Sequence, residues 1–505
     1  MPNAGLLELV AHGIQDIYLI GNPQITFFKT IYKRHTNFSM ESYQISYDAE
    51  PTWGSKTTFT MTRYADLIYT MILEVDLPAI YAKTVPDPTY GGNQSDFDIG
   101  RGDISWINNT GHGMINYLDL KIGSNLIDRQ YGEWMEIWTQ LTQSESKKRG
   151  LDLMLNRNPQ LISNAGQLKL YIPFQFWFCR NIGLALPLVA LQYHDVQLEV
   201  NFRPLSQMFT FGSNNYYNVT TNGTTNNILV YKQSTASPNL YDSNTRSKII
   251  VFPNGSQYYI NPNSTIGPGQ TGDLLTPYIL QTVQIIPTVY TNENCYIKPN
   301  GTIDSTQNTN ITELRLFVDY IYLDTFEQRE FASAKHRYLI EQLQYSGSSS
   351  IPGNTQTNKV TLNFNLPVKE LFWVNQLDDV YITNDLFNFS NTVNPVIPQG
   401  NIVDTGVIYI NGIERFSTRS GNYFRLIQPY QKHTRSPNGF IYVYSFSVKP
   451  EEHQPSGCSN FSKLNTKEIY LTFPPNLRSQ QMRVYGLNYN ILRIYSGMGG
   501  IAFSN

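Results

Sequence analysis

The chain of 505 residues carries 37 Lys+Arg against 39 Asp+Glu, a formal charge of −2, and only 15% charged residues against the roughly 25% of ordinary globular domains. Its 41% apolar residues suffice for sizeable cores and exclude a disordered chain, while the neutral balance lacks the basic excess of a nucleic-acid binder. With 35 Tyr, 26 Phe and 48 Asn the composition favours strands and turns, so the expectation is a large all-β protein.

Residues 1–24 read as an N-terminal arm. Segment 5–11 is mildly amphipathic, and Leu6, Leu7, Leu9 and Val10 form the contact side of a packing arm rather than a membrane anchor. No basic region precedes an apolar stretch there, and Pro2 stands where myristoylation needs Gly. No apolar run approaches the ~18 residues that cross a bilayer. Strand-length segments bounded by Gly, Pro and Asn follow at 25–32, 57–62, 67–77, 169–178, 196–202, 314–323, 360–365, 406–410, 440–448, 468–473 and 482–494. Between them, residues 130–143 (QYGEWMEIWTQLTQ) place Trp134, Ile137, Trp138 and Leu141 at i, i+3, i+4 and i+7. That spacing predicts an amphipathic helix with its aromatic face on a sheet. Thr325 and Gln328 have capping-box spacing, which predicts a short helix running to about Arg337.

These segments repeat. The run 25–32, 56–63, 67–77 in the first half corresponds to 338–344, 359–365, 368–374 in the second. The pairs 168–178 and 196–202 correspond to 440–448 and 468–473, and each half closes on a terminal strand, 313–323 or 482–494. Eight-stranded jelly rolls fit copies of this size. The chain therefore divides into the arm, a first jelly roll at 25–325, a connecting helix at 326–337 and a second jelly roll at 338–505. Residues 206–312 enlarge the first copy. They hold eight charges, are rich in Asn, Thr and Tyr, and read as elaborated loops at one end of the barrel.

No catalytic constellation is found. The seven His are scattered, without H-E-x-x-H or any ligand spacing, so no metal or cofactor is expected. His194 reads as a structural hydrogen-bonding residue and Cys179 as a small buried hydrophobe. Asp378 and Asp379 are adjacent, so on a strand they face opposite ways and read as a turn. Gly-x-Ser-x-Gly is absent. The clusters at 33–35 and 147–149 read as solvated or subunit-contact faces. Eleven Asn-x-Ser/Thr sequons occur, and Asn218, Asn222, Asn254, Asn263, Asn300, Asn310 and Asn388 are the candidate glycan acceptors. A competing expectation is a sugar-binding or sugar-cleaving jelly roll, given the abundant Tyr and Trp. A minor shell or scaffold protein of the same fold is a third.

Four sets of blocks carry a resemblance. They are 13–41 (GIQDIYLIGNPQITFFKTIYKRHTNFSME); 183–196 (GLALPLVALQYHDV); 318–325 (VDYIYLDT) with 338–342 (YLIEQ); and 428–431 (QPYQ) through 449–457 (KPEEHQPSG) to 487–490 (LNYN) and 496–500 (SGMGG). In these the chain resembles the major capsid proteins of nucleocytoplasmic large DNA viruses. It departs at 325–332 (TFEQREFA), which is less basic than the family's usual form. The resemblance implies a non-enzymatic double jelly roll, three copies of which form a pseudo-hexagonal capsomer tiling an icosahedral shell. It also implies a virion protein assembled in the host cytoplasm. Its implied partners are further copies, minor capsid and penton proteins, and the inner viral membrane near the arm, with no direct nucleic-acid binding.

Overall fold

The computed structural model describes residues 9–11, 20, 22–30, 32–80, 104–157, 166–211, 308–378, 380, 384–392, 400–475 and 477–503. It adds the strand backbones at 82–83, 216–221, 224–229, 249–251, 257–259, 295–296 and 302–303. In the first half, strands β1 (Phe38–Ile45), β2 (Lys56–Thr60), β3 (Leu67–Leu77), β4 (Ile115–Ile122), β5 (Asn125–Tyr131), β6 (Leu168–Pro173), β7 (Val196–Phe202) and β8 (Glu313–Leu323) build two sheets. Their orders are β1-β8-β3-β6 and β2-β7-β4-β5, antiparallel throughout.

The second half repeats this with β9 (His336–Ile351), β10 (Thr357–Thr361), β11 (Pro367–Leu377), β12 (Thr405–Ile410), β13 (Ile413–Glu414), β14 (Ile441–Ser445), β15 (Lys467–Thr472) and β16 (Gln480–Tyr495). Its orders are β9-β16-β11-β14 and β10-β15-β12-β13. The two halves are therefore jelly rolls of one topology, two four-stranded sheets closing over a core. Alternation drives the burial. In β3, Leu73, Val75 and Leu77 turn inward while Glu74 and Asp76 meet Arg315 and Lys169 outside. β9 carries a register shift between Tyr345 and Ser348, and Gly347 there has φ +88°, a conformation open to Gly at little cost.

The longest of the described helices outside the sheets are α1 (Gly132–Thr142), α2 (Glu145–Met154) and α3 (Thr325–Ser333). α1 lies where its 3.6-residue pattern put it. α2 was not expected, because Leu151 is its only buried residue and it has no apolar stripe. α3 stops at Ser333 rather than near Arg337, since His336 already pairs with Ile494 at the start of β9. Its N-cap position is Asp324, and the amide of Gln328 donates to Asp66 (2.8 Å) instead of closing a capping box.

One strand expectation is corrected. The stretch within 25–32 is not a strand; the described residues 25–30 are exposed and unpaired, and the first strand is 38–45, whose partner is β8. Strand-like composition needs a sheet edge to pair with, and β8 receives β1 instead. The insertion 206–312 leaves the barrel between β7 and β8. Beyond its strand backbones, the expectation of decorating loops there lies mostly outside the described residues.

Candidate assembly site

What the sequence turns into a rigid unit is a seam between the jelly rolls. Helix α1 belongs to the first but packs on the outer face of the second. Trp134, Ile137, Trp138 and Leu141 form one buried cluster with Phe372 and Val374 of β11, Ile441 and Val443 of β14, and Tyr485 and Leu487 of β16. Trp134 meets Phe372 edge-on with centroids 4.9 Å apart. β11 is consequently buried on both faces: Leu371 and Trp373 enter the barrel core and Phe372 and Val374 face the helix. Gly132 opens α1 because a Cβ there would stand 2.2 Å from the His112 carbonyl oxygen and 2.3 Å from that of Ile115.

Charged groups are sealed into the same seam. Arg483 of β16 donates to both oxygens of Glu133 (2.8 and 2.7 Å), and the Tyr485 hydroxyl donates to the same carboxylate at 2.9 Å. Arg180 lies over the Trp138 ring (4.7 Å) and pairs with Glu341 of β9 at 2.9 Å, and Glu341 also accepts from buried Lys369. The Leu343 N–H donates to Asp128 of β5 (3.0 Å), whose carboxyl burial pushes up to about 6. Within α1, Glu136 accepts from Asn109 (2.6 Å), Gln140 (2.6 Å) and Arg157, and contacts His112 at 2.9 Å. Burial raises the Glu136 carboxyl, but His112 and Arg157 outweigh it and hold it near 2. At the far end of the seam the Gly499 N–H donates to His194 Nδ1 (3.3 Å), the structural role expected of that His.

His433 bridges two carboxylates, with Nε2 2.9 Å from Glu370 and Nδ1 2.9 Å from Glu451. Burial lowers the imidazole pKa, yet Glu370 and then Glu451 outweigh this and raise it to about 9. Its folded value lies above the unfolded 6.5. The stabilisation is therefore complete below pH 6.5 and lost as pH rises through about 9. At roughly 1.4 kcal/mol per unit, the effect is on the order of 3 kcal/mol. Urea unfolding should show stability falling from pH 6.5 to 9, and His433→Gln should flatten that decline; an unchanged slope in the variant would remove His433 as its cause.

The sequence-selected residues fall elsewhere. Leu9 and Val10 are exposed, and Leu6 and Leu7 lie outside the described residues. Asn310 is exposed. Asn388 is half-buried, its amide donating to the Thr392 carbonyl (3.0 Å) and its oxygen accepting from Ser390. Asn218 lies on the strand 216–221 with its side chain outside the described residues, as are Asn222, Asn254, Asn263 and Asn300. Cys179 packs against the first core, and burial pushes its thiol up to about 12.

Against known families, the model described as the major capsid protein N-terminus matches residues 26–240. The one for the large eukaryotic DNA virus major capsid protein matches 327–500. The major capsid protein of Phaeocystis pouchetii virus is 31% identical, with 99% of each chain covered. Probable capsid protein 4 of Acanthamoeba polyphaga mimivirus is 33% identical over 99% of each. The chain belongs to the major capsid protein family of large eukaryotic DNA viruses. A protein in the quasi-atomic model of the PBCV-1 virus capsid superposes with TM-score 0.63 at 25% identity, over 95% of this chain and all of that one. The Faustovirus major capsid protein shares the fold at TM-score 0.65 and 13% identity, over 96% and 94%. This capsid protein is thus a structural component of virions, not an enzyme. Sequence reasoning missed the seam charges Glu133, Arg180, Glu341, Lys369 and Arg483. One signal for them was present: Lys369 and Glu370 stand beside the apolar run Leu371–Val374 of one strand, where charge is costly unless paired.

Proposed function

We propose that this capsid protein forms homotrimers of pseudo-hexagonal outline that tile an icosahedral shell. The observation carrying this is the pair of jelly rolls with identical strand order, locked by a buried seam. One chain then offers two similar bodies, and a threefold axis turns three chains into six, a shape that packs hexagonally. A formal charge of −2 suits surfaces that meet many copies of themselves. In this reading the chain divides into arm 1–24, barrels 25–325 and 338–505, and a connector 326–337. The arm, through Leu6, Leu7, Leu9 and Val10, meets minor capsid or penton proteins or the underlying membrane, and assembly proceeds in the host cytoplasm. Residues 206–312 face outward, and glycan, where present, is carried by Asn218, Asn222, Asn254, Asn263, Asn300, Asn310 or Asn388. The start of β1 and α3 lie at one end of the first barrel, and the β7–β8 insertion leaves from the other, as strand direction requires.

The test is the mass of the purified chain in solution combined with negative-stain imaging. A particle of three times 57.8 kDa, about 173 kDa, with six-lobed outline is expected. A monomer or dimer would overturn the trimer and favour a minor shell protein of the same fold.

A further inference from the structure

At the end of the first barrel where the arm enters, a cleft of about 240 Å³ stands open. Its walls are Phe38 of β1, Leu67 of β3, Ala185, Ile321 and Leu323 of β8, and Phe331 of α3. Leu67, Ala185 and Ile321 form a small apolar cluster of their own, apart from the main core. Glu327 of α3 also lines the cleft, and its Oε2 is buried with no hydrogen-bond partner among the described residues. A carboxylate oxygen so placed is costly unless a donor reaches it.

The segment just upstream supplies what the cleft lacks. Residues 25–32 (ITFFKTIY) have the composition of a strand, but the described residues among them pair with none of the described strands, and Phe27 and Phe28 are 91% and 97% exposed. Lys29 sits in the middle of this apolar stretch. β1, beside the cleft, pairs with β8 on one side only, and its other edge has no partner among the described strands. Such an edge is a template for an added strand. We propose that segment 25–32 of one protomer docks on the neighbouring protomer of the trimer. It lies along the free edge of β1, seats Phe27 in the apolar cleft, and pairs Lys29, which shares the strand face of Phe27, with Glu327. This rests on the trimer reading above. The occupant is a second copy because apolar content, strand pattern and charge all match within the one sequence, while the described residues of the chain leave both surfaces uncovered.

Two measurements on the full-length protein test it. Chains carrying Phe27→Cys are mixed with chains carrying Phe331→Cys, co-assembled and oxidised, and the joined peptides are identified by mass. A 27–331 bridge between the two kinds of chain is expected. A trimer without that bridge overturns the exchange but leaves the trimer standing, whereas a monomer overturns both. Lys29→Glu or Glu327→Lys alone should raise the trimer dissociation constant about tenfold or more, and the double reversal should restore it. Failure of the double to restore removes the pairing. A bridge found only within single chains, or protection of Phe27 only in whole particles beside another shell protein, overturns the second-copy assignment.

Discussion

Glu133→Ala should destabilise the chain by about 3–5 kcal/mol, read as a fall in the urea midpoint or melting temperature. The reason is what remains after the carboxylate is gone. Arg483 stays buried, with Gln376 accepting from it at 2.7 Å, but loses the carboxylate that holds it through two contacts, and the Tyr485 hydroxyl loses its acceptor. A buried charge stripped of such a carboxylate costs more than the intact pair contributes, because pairing mainly repays desolvation. The control follows from the same physics. The double variant Glu133→Leu with Arg483→Met removes both charges and should recover most of the lost stability. If the double falls as far as the single, the seam charges are not the origin of the effect. Glu133→Gln should lie between, since an amide oxygen can still accept from Tyr485 or Arg483 without balancing the positive charge.

The contrast between β3 and the seam shows what a sequence makes legible. In β3 one face meets the core and the other meets charged partners, so apolar and polar residues alternate and the strand can be read directly. The helix α1 was legible for the same reason at its own period. β1 was not: it is an edge strand whose residues are mostly exposed, and the alternation of FSMESYQI slips phase at Glu41–Ser42. The stretch ITFFKTIY carried a stronger strand signal, and its described residues have no partner among the described strands. Composition reports a residue's affinity for a sheet and not which edge receives it. The internal repeat still located the counterparts of β2, β3, β6, β7, β8 and their second-half partners, because core-facing alternation recurs in both copies. The seam joins positions hundreds of residues apart, such as Glu133 with Arg483, and no local pattern encodes such a pairing. The capping-box spacing at Thr325 failed on a local competition, since Asp324 took the N-cap and Asp66 drew Gln328 away.

Trp134→Ala should cost about 3–5 kcal/mol, the range for removing a fully packed Trp, and should uncouple the jelly rolls. The ring is buried between Phe372 (4.9 Å), Trp138 (5.6 Å) and Tyr485 (6.0 Å), so its loss leaves a cavity at the centre of the seam. Each barrel keeps a core of its own, with Phe59, Leu73 and Val318 in the first and Trp373, Ile408 and Leu471 in the second. Calorimetry should therefore resolve two transitions in the variant where the parent shows one. Trp134→Phe, which retains an aromatic ring against Phe372, should lose less and keep the transitions together. A Trp134→Ala variant that still melts in a single step, shifted by under about 1 kcal/mol, would mean that the barrels are held by contacts other than α1. The trimer proposed above requires the two barrels to be held rigidly together, because a hinge between them would let the two like bodies of one chain take unequal positions around the proposed threefold axis.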